Sequence, residues 1–273
     1  MKSQELVNFV KYELERVGIS DYMEAEWLVA LAANKKLSDL FLNDEISPFD
    51  EMKVKAVLEE RKKGRPLAYI IGNSEFFGRE FDVQEGVLIP RPETELLVEE
   101  VVRIAKQTSA QSILDIGTGS GAIAISLALE TQANVVGVDV SDVAVSVASK
   151  NNSKLGARAT ILKSNLFENV QGKFDIIVSN PPYIKTTVLS TLEREVRDFE
   201  PTLALDGGED GLDFYRKIIG VAPNYLNKNG YLAFEIGFDQ GKDLKKLLCK
   251  DFEDVKVLKD YNKHDRIVIA KKR

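Results

Sequence analysis

The sequence predicts an α/β fold with a doubly wound, mostly parallel seven-stranded sheet, preceded by a small helical bundle and a linking β-hairpin. Apolar positions recur at helical spacing through 1–72, the pattern turns strand-like in 73–95, and short apolar runs alternate with helices through 96–273. This alternation is typical of a parallel sheet covered by helices on both faces. The strands are expected at 112–115, 135–138, 159–162, 174–179, 230–236, 255–258 and 266–270, the last two being antiparallel neighbours.

Composition narrows the class of protein. The chain has 273 residues, 44% of them hydrophobic, which is enough for one large domain or two smaller ones. Cys249 is the single cysteine and His264 the single histidine, so we expect neither a disulfide nor a metal site. The net charge of −6 disfavours direct contact with nucleic acid, which usually needs a basic surface. Without a membrane-spanning or leader-like apolar stretch, we expect a cytoplasmic protein. We also expect it to be a monomer.

The segment 1–72 is expected to bind a substrate or partner, with buttressing of the fold as the alternative. Asp21 and Glu24 fit a capping box at the start of one of its helices. That helix carries an apolar stripe formed by Met23, Trp27 and Leu31. Trp27 is expected in the core, since large apolar residues are buried more often than not. The basic run 61–63 is expected to be a solvated helix end.

Two further segments each have two interpretations. The stretch 88–95 leads into a helix with proline and acidic residues at its start, which is typical of a well-capped turn between domains. A functional interpretation instead puts Arg91 or Glu93 near the polar end of a cofactor. The later stretch 200–212 is either a lid or substrate wall, or a surface turn.

A glycine-rich loop follows the first strand of the sheet and opens a helix. It consists of Gly117, Thr118, Gly119, Ser120 and Gly121. Glycines at alternate positions allow the backbone to approach a ligand closely at a helix N-terminus. The next strand ends at Asp139, about 20 residues later, where a carboxylate can accept both hydroxyls of a ribose. Strand, loop, helix, strand and acidic residue in this order predict an adenosine-binding site.

The strand at 174–179 is followed by four residues that suit the holding of a planar amino group. They are Asn180, Pro181, Pro182 and Tyr183. The side-chain oxygen of Asn180 and the backbone carbonyl of Pro181 can accept both N–H bonds of an amide or aromatic amine. The prolines stiffen the backbone, and Tyr183 offers a flat face to pack on the amide plane. The alternative is that the four residues simply make a turn.

The G-x-G-x-G spacing resembles the cofactor loop of S-adenosylmethionine-dependent methyltransferases rather than the G-x-G-x-x-G of dinucleotide sites. The resemblance implies that the loop 117–121 passes under the methionine and ribose, and that Asp115 or its neighbours orient the methionine part. It also implies that Asn165 holds the adenine amino group. The family usually has an acidic residue there, and Asn retains an oxygen acceptor. Leu166 or Phe167 would cover an adenine face, with plain core as the alternative.

The tetrapeptide 180–183, the segment 90–95 and the stretch 200–212 together resemble the protein-(glutamine-N(5)) methyltransferases of peptide chain release factors. The resemblance covers nearly the whole chain. It implies methylation of the glutamine side-chain amide in the Gly-Gly-Gln motif of a release factor, a protein of translation termination. The methyl donor would be S-adenosyl-L-methionine and the product S-adenosyl-L-homocysteine.

The implied reaction is a direct in-line transfer. Its catalytic residues would be Asn180, Pro181 and Tyr183, with Pro182 joining them in substrate binding and Asn180 also bordering the cofactor. No general base is required in the slow step, because the methylated nitrogen is acidic and loses its proton afterwards. The scarcity of histidine is therefore no obstacle to this chemistry.

Other functions stay open on the sequence alone. A related enzyme type with the same tetrapeptide modifies a ribosomal protein. A DNA adenine or RNA guanine methyltransferase would need a basic groove and a way to extrude the base, and the acidic composition disfavours both. A nicotinamide-dependent oxidoreductase is disfavoured by the glycine spacing, and a non-enzymatic binding module by the filled chemical positions.

Overall fold

The computed structural model describes residues 1–20 and 22–273, which divide into two compact units. The first unit contains Met1–Gly72 together with Glu193–Phe199, and the second contains Asn73–Leu192 and Glu200–Arg273. In the described residues, no helix combines the length and apolar character needed to cross a membrane.

The first unit is helical. Its helices before residue 73 are α1 (Ser3–Glu15), α2 (Tyr22–Ala32), α3 (Leu37–Leu40), α4 (Pro48–Lys62) and α5 (Leu67–Ile71). Helix α4 begins as its sequence indicates, because the Ser47 hydroxyl accepts the N–H of Asp50 at 3.1 Å and Pro48 follows at the first helical position. Buried leucine and valine side chains of α1, α2 and α4 form the core of this unit.

The buried face of α2 differs from the predicted one. Its core residues include Ala25, Leu28, Val29 and Ala32. The stripe that contains Trp27 lies largely outside this core, with Met23 47%, Trp27 45% and Leu31 38% exposed. The prediction that Trp27 is in the core is therefore wrong, because two stripes share helical spacing and the smaller side chains pack inward. The predicted cap Asp21 lies outside the described residues.

Arg61 is buried, so the prediction of a solvated basic run is wrong for this residue. It lies on the same face of α4 as Val54 and Leu58, which are in the core. Its guanidinium forms ion pairs with Glu24 and, at 2.5 Å, with Glu195. A buried guanidinium needs such partners, because leaving water without them is costly. Glu195 belongs to the 193–199 segment, so this pair fastens a distant part of the chain within the first unit.

The second unit begins with a hairpin and continues as alternating strands and helices. The hairpin strands are β1 (Asn73–Phe76) and β2 (Arg79–Asp82), and the main-sheet strands are β3 (Ser112–Ile116), β4 (Asn134–Asp139), β5 (Thr160–Lys163), β6 (Phe174–Ser179), β7 (Leu226–Glu235), β8 (Phe252–Lys259) and β9 (Asp265–Lys272). The remaining helices are α6 (Pro92–Thr108), α7 (Ala122–Glu130), α8 (Asp142–Lys154), α9 (Arg194–Phe199, part of the first unit), α10 (Asp213–Tyr225) and α11 (Gly241–Leu248). Short 3₁₀ helices span Thr186–Thr191 and Thr202–Ala204.

The main sheet has the strand order β5-β4-β3-β6-β7-β9-β8. Strands β3 to β7 pair in parallel, and β9 is antiparallel to both of its neighbours. The predicted fold class is therefore confirmed, including the antiparallel pair at the end of the chain. The chain order reverses between β3 and β6, and ligand sites of open α/β sheets lie at such a switch point, beyond the carboxyl ends of the strands.

Apolar residues alternate between the two faces of the sheet. Ile113, Ile176 and Val178 belong to the core on one face, which includes residues of α6 and α7. Leu114 and Ile177 belong to the core on the other face, which includes residues of α10 and α11. Because successive strand residues point to opposite faces, near-continuous apolar strands are what a sheet buried on both sides requires.

Replacing Arg61 by Ala is expected to lower the free energy of unfolding of the first unit by about 3–5 kcal/mol, because Glu24 would be left as a buried, unpaired carboxylate. Urea unfolding followed by circular dichroism measures this loss. The matched control is Lys55→Ala in the same helix, which removes an exposed pair with Glu51 and should cost about 1 kcal/mol or less. Equal losses for the two variants would contradict the role given to Arg61.

Candidate active site

One cleft of the second unit lies at the carboxyl ends of β3, β4 and β6. It comprises about 1080 Å³ of atom-free space, including the part open to solvent. The predicted site residues that line it are Gly117, Thr118, Gly119, Ser120, Asp139, Asn165, Leu166, Asn180, Pro181 and Pro182. Gly121 and Tyr183 are not among the lining residues. The cofactor loop and the tetrapeptide thus border the same space.

The glycine loop is shaped by backbone conformation and by contacts with β4. The N–H groups of Gly117 and Thr118 both donate to the carbonyl of Val138, each at 2.9 Å. Gly121, at the start of α7, has a φ of +85°, and a Cβ there would approach the Ile125 side chain to 2.6 Å. Gly121 therefore serves the packing of the helix behind the loop, whereas the loop itself faces the cleft.

Asp115 is fully buried behind the loop and does not line the cleft. Its Oδ2 accepts the hydroxyl of Thr118 at 2.7 Å and the N–H of Ala124 at 3.2 Å, and its Oδ1 has no hydrogen-bond partner within residues 1–20 and 22–273. Burial raises the pKa of Asp115 to about 7, against the effect of these two hydrogen bonds. Through its hydrogen bonds to Thr118 and Ala124, the carboxyl group holds the loop between β3 and α7 in place.

Asp139 ends β4 and is held by two backbone groups. Its Oδ2 accepts the N–H of Gly119 at 2.9 Å, and its Oδ1 accepts the N–H of Ser141 at 2.9 Å. Each oxygen of an ionised carboxylate has a further lone pair, so both can still accept a hydroxyl from the cleft. This arrangement suits a vicinal diol such as a ribose.

The segment after β5 supplies one polar and one apolar group to the cleft. Asn165 donates from Nδ2 to Glu168 at 2.8 Å, which leaves its side-chain oxygen as an acceptor. Leu166, with a φ of +51°, also lines the cleft. Phe167 instead stacks on Tyr225 in the core, with ring centroids 4.7 Å apart. Of the two candidates for an adenine cover, the structure brings only Leu166 to the cleft.

The tetrapeptide is backed by the stretch that precedes α10. A Cβ at Gly207 would lie 2.7 Å from the Tyr183 Cα, and one at Gly211 would lie 2.5 Å from the Tyr183 carbonyl oxygen. Gln240 donates from Nε2 to the carbonyls of both Tyr183 and Gly211, at 3.1 and 3.0 Å. The glycines of 200–212 therefore allow a close backbone approach that fixes the tetrapeptide from behind.

Asn180 is the first member of a chain of hydrogen bonds. Its Nδ2 donates to the Thr94 hydroxyl oxygen at 3.2 Å, and the Thr94 hydroxyl donates to Glu235 at 2.5 Å. The Tyr183 hydroxyl donates to the other oxygen of Glu235 at 3.3 Å, so its side chain is directed to this carboxylate. Burial raises the pKa of Glu235, opposed by the Thr94 hydrogen bond and the charge of Arg266. Burial likewise raises the pKa of Tyr183.

The segments 88–95 and 200–212 meet through an ion pair. Arg91 lines the cleft and pairs with the buried carboxylate of Glu200, which also accepts the N–H of Ile89 at 3.3 Å. Glu93 is exposed and does not line the cleft. Leu203 lies three residues after Glu200 and contributes an apolar part of the cleft wall. Of the two residues predicted near a cofactor's polar end, only Arg91 reaches the cleft.

Among the residues in and around this site that sequence reasoning did not single out are Val140, Thr94 and Glu235. Val140 follows Asp139 directly, is exposed, and lines the cleft near the predicted ribose carboxylate. An apolar residue straight after an acidic strand end is a local signal that could have identified it. Thr94 and Glu235 gave no such signal, because they lie far from Asn180 in the sequence and become neighbours only through the sheet.

Two family descriptions match the chain: "Methyltransferase small domain" over residues 92–209 and "PrmC N-terminal domain" over residues 5–72. Several relatives are named release factor glutamine methyltransferase. The protein of Geobacter sulfurreducens is 43% identical, over 90% of this chain and 88% of its own length. That of Bacillus subtilis is 42% identical, over 84% and 83%. That of Agrobacterium fabrum is 38% identical, over 93% and 92%.

Solved structures of methyltransferases resemble the fold. A methyltransferase from Pyrococcus furiosus has a TM-score of 0.54 and 22% identity, over 71% of this chain and 89% of that one. The T. thermophilus 16S rRNA N2 G1207 methyltransferase, in complex with AdoMet and guanosine, has a TM-score of 0.53 and 22% identity, over 74% and 50%. At this level of identity the likeness concerns the fold alone.

Replacing Asp115 by Asn is expected to flatten the pH dependence of stability. A pKa of about 7 in the folded protein, above the ordinary 3.8, means that the folded state binds this proton more tightly than the unfolded chain. The stabilisation from Asp115 is therefore complete below about pH 4 and is lost as the pH rises through 7. Between about pH 5 and about pH 8 the wild-type protein should lose roughly 3 kcal/mol that the variant keeps.

Urea unfolding at these two pH values, without added cofactor, measures this difference. Other titrating groups are common to both proteins, so their contributions cancel in the comparison. An equal fall in the unfolding free energy of wild type and Asp115→Asn would show that Asp115 does not titrate in this range.

Proposed function

The chain belongs to the family of release factor glutamine methyltransferases, and we propose that it methylates the side-chain amide nitrogen of a glutamine in a peptide chain release factor. The glutamine proposed is that of the Gly-Gly-Gln motif. The observation that carries the proposal is the position of Asn180, which lines the same cleft as the glycine loop and turns its amide nitrogen to Thr94. Its side-chain oxygen is then the group available to a substrate amide.

The cleft suits S-adenosyl-L-methionine through the chemistry of its lining. Asp139 would accept the ribose hydroxyls, and the free oxygen of Asn165 would accept the adenine amino group. Leu166 and Val140 supply apolar surface on which a purine can pack. When bound, S-adenosyl-L-methionine supplies a methyl group on a positively charged sulfur, and S-adenosyl-L-homocysteine remains after the transfer. These residues, with the loop 117–120, constitute the proposed cofactor site.

Asn180 and Pro181 would orient the substrate amide. An amide nitrogen is a poor nucleophile because its lone pair is delocalised into the carbonyl group. The Asn180 side-chain oxygen and the Pro181 carbonyl can each accept one of its N–H bonds. These hydrogen bonds strengthen as the nitrogen becomes positive during attack, so they stabilise the transition state more than the bound substrate. Holding the two reactants in line can contribute up to about 7–11 kcal/mol in favourable cases.

The proposed role of Tyr183 is narrower than stacking on the amide. Its hydroxyl is engaged by Glu235 and its residue does not line the cleft, so it holds the end of the tetrapeptide. Pro182 lines the cleft and would form part of the wall against the substrate. After transfer, the positively charged nitrogen loses its proton to solvent, and no side chain of the site is needed as a base.

A release factor is favoured over the other amide or amine substrates. Relatives that are 38–43% identical to this chain over most of its length are named release factor glutamine methyltransferase. A nucleic-acid substrate would require a basic surface, whereas the chain has a net charge of −6. The first unit is proposed to contact the protein substrate, since it exposes several large apolar side chains, namely Tyr12, Phe41, Leu42, Phe49 and Met52.

Replacing Asn180 by Ala is expected to lower kcat about 100- to 1000-fold, as removal of one hydrogen-bonding group from a transition-state site typically does. Affinity for S-adenosyl-L-methionine, measured by calorimetry, should change only a few-fold. The matched variant is Asn165→Ala, which should weaken cofactor affinity and leave kcat at saturating cofactor nearly unchanged. Near-normal turnover of Asn180→Ala would refute the proposed role of the tetrapeptide.

The substrate is tested by supplying methyl-labelled S-adenosyl-L-methionine with several acceptors in parallel. We expect label on an intact release factor and none on its variant with Ala in place of the Gly-Gly-Gln glutamine. Ribosomal proteins and DNA should stay unlabelled. Label on a ribosomal protein or on DNA, with none on the release factor, would replace the proposed substrate while leaving the amino-methyltransferase chemistry in place.

A further inference from the structure

Thr94 lines the same cleft as Asn180 and is hydrogen-bonded to its side chain. It lies in the first turn of α6, and its side chain is buried. The hydroxyl donates to Oε2 of Glu235 at 2.5 Å and receives the Nδ2 N–H of Asn180 at 3.2 Å. Thr94 thus links a buried carboxylate to the side chain that borders the substrate end of the cleft.

The direction of these two hydrogen bonds determines which end of the Asn180 amide faces the cleft. A threonine hydroxyl has a single hydrogen, and a carboxylate can only accept. Once Thr94 gives its hydrogen to Glu235, its oxygen can only accept from Asn180. The group of Asn180 that faces Thr94 must therefore be the NH₂, and the oxygen is directed away from Thr94.

The terminal torsion of asparagine does not select between these two orientations by itself, because it is broad and roughly two-fold. In the reversed orientation the NH₂ of Asn180 would face the NH₂ of a substrate amide. Two donors cannot pair, so the acceptor that the reaction needs would be missing. The orientation imposed by Thr94 thus bears on function and not only on stability.

Glu235 adds a second constraint, because it holds both ends of the tetrapeptide. It reaches Asn180 through Thr94, and its other side-chain oxygen accepts the Tyr183 hydroxyl at 3.3 Å. Its own backbone carbonyl accepts the hydroxyl of the buried Tyr215 at 2.8 Å, which secures it at the end of β7. One fixed carboxylate thereby sets the position of Thr94 and the placement of the tetrapeptide.

We propose that Thr94 is a positioning residue for amide methylation, which fixes Asn180 with its side-chain oxygen toward the substrate nitrogen. It does so because its hydroxyl hydrogen is donated to Glu235, so that its oxygen can only accept the N–H of Asn180. The inference rests on the proposed function, since it assigns Thr94 a role in orienting the acceptor of the substrate amide. It also gives a chemical reason for threonine within the segment 90–95 that leads into α6.

The test compares two substitutions that differ in the hydroxyl. Thr94→Val preserves shape and removes the hydroxyl, whereas Thr94→Ser keeps the hydroxyl. We expect Thr94→Val to lower kcat for release factor methylation about 10- to 100-fold, as misplacement of a reacting group does, with little change in cofactor affinity. Thr94→Ser should recover most of the lost turnover. Thr108→Val, at the other end of α6, removes a hydroxyl that donates only to the Ile104 carbonyl and should leave kcat unchanged.

A double-mutant cycle distinguishes positioning from general destabilisation. In an Asn180→Ala background, Thr94→Val should have almost no further effect on kcat, because there is no amide left to orient. An undiminished kcat for Thr94→Val, an equal loss in both backgrounds, or a Thr94→Ser variant that folds normally but stays as impaired as Thr94→Val would each overturn the proposal. Absence of label transfer to a release factor by the wild-type enzyme would instead refute the proposed function.

Discussion

The parallel pairing of β3 with β6 fixes both halves of the site. In this register Ile116 lies opposite Ser179, and the Ser179 hydroxyl donates to the Ile116 carbonyl at 2.6 Å. The glycine loop begins one residue after Ile116, and the tetrapeptide begins one residue after Ser179. A slip of one residue would turn the side chains of β6 to the opposite face, so the buried apolar residues of both cores specify this register. The position of Asn180 beside Gly117 is thus a consequence of core packing.

Rigidity of the tetrapeptide comes from contacts made by backbone rather than by large side chains. Gly207 and Gly211 let the stretch before α10 approach Tyr183 more closely than residues with a Cβ would allow. Gln240 joins this stretch to the tetrapeptide by donating to the carbonyls of Gly211 and Tyr183, and its side-chain oxygen accepts the N–H of Gly237 at 2.8 Å. These contacts can hold the tetrapeptide in one conformation without a bulky side chain that would fill the cleft.

The parts of the site that sequence could identify are those encoded locally. The glycine loop, Asp139 and the tetrapeptide each follow a strand, so the strand pattern and the residue type suffice to place them at one edge of the sheet. Thr94 and Glu235 could not be found, because a threonine in a helix cap and an acidic residue ending an apolar strand each have ordinary local explanations. Trp27 was misplaced for a related reason, since two stripes of α2 have the same period and only the tertiary packing decides between them.

Glu235 is a buried carboxylate connected to the substrate end of the cleft, yet its contacts do not suit it to act as a base. Both of its oxygens are engaged by hydroxyl groups, from Thr94 and from Tyr183. The two hydroxyls instead favour the ionised form of Glu235 against the effect of burial. Both side-chain oxygens of Glu235 therefore serve to orient hydroxyl donors, which suits the proposed reaction, in which the methylated nitrogen releases its proton directly to solvent.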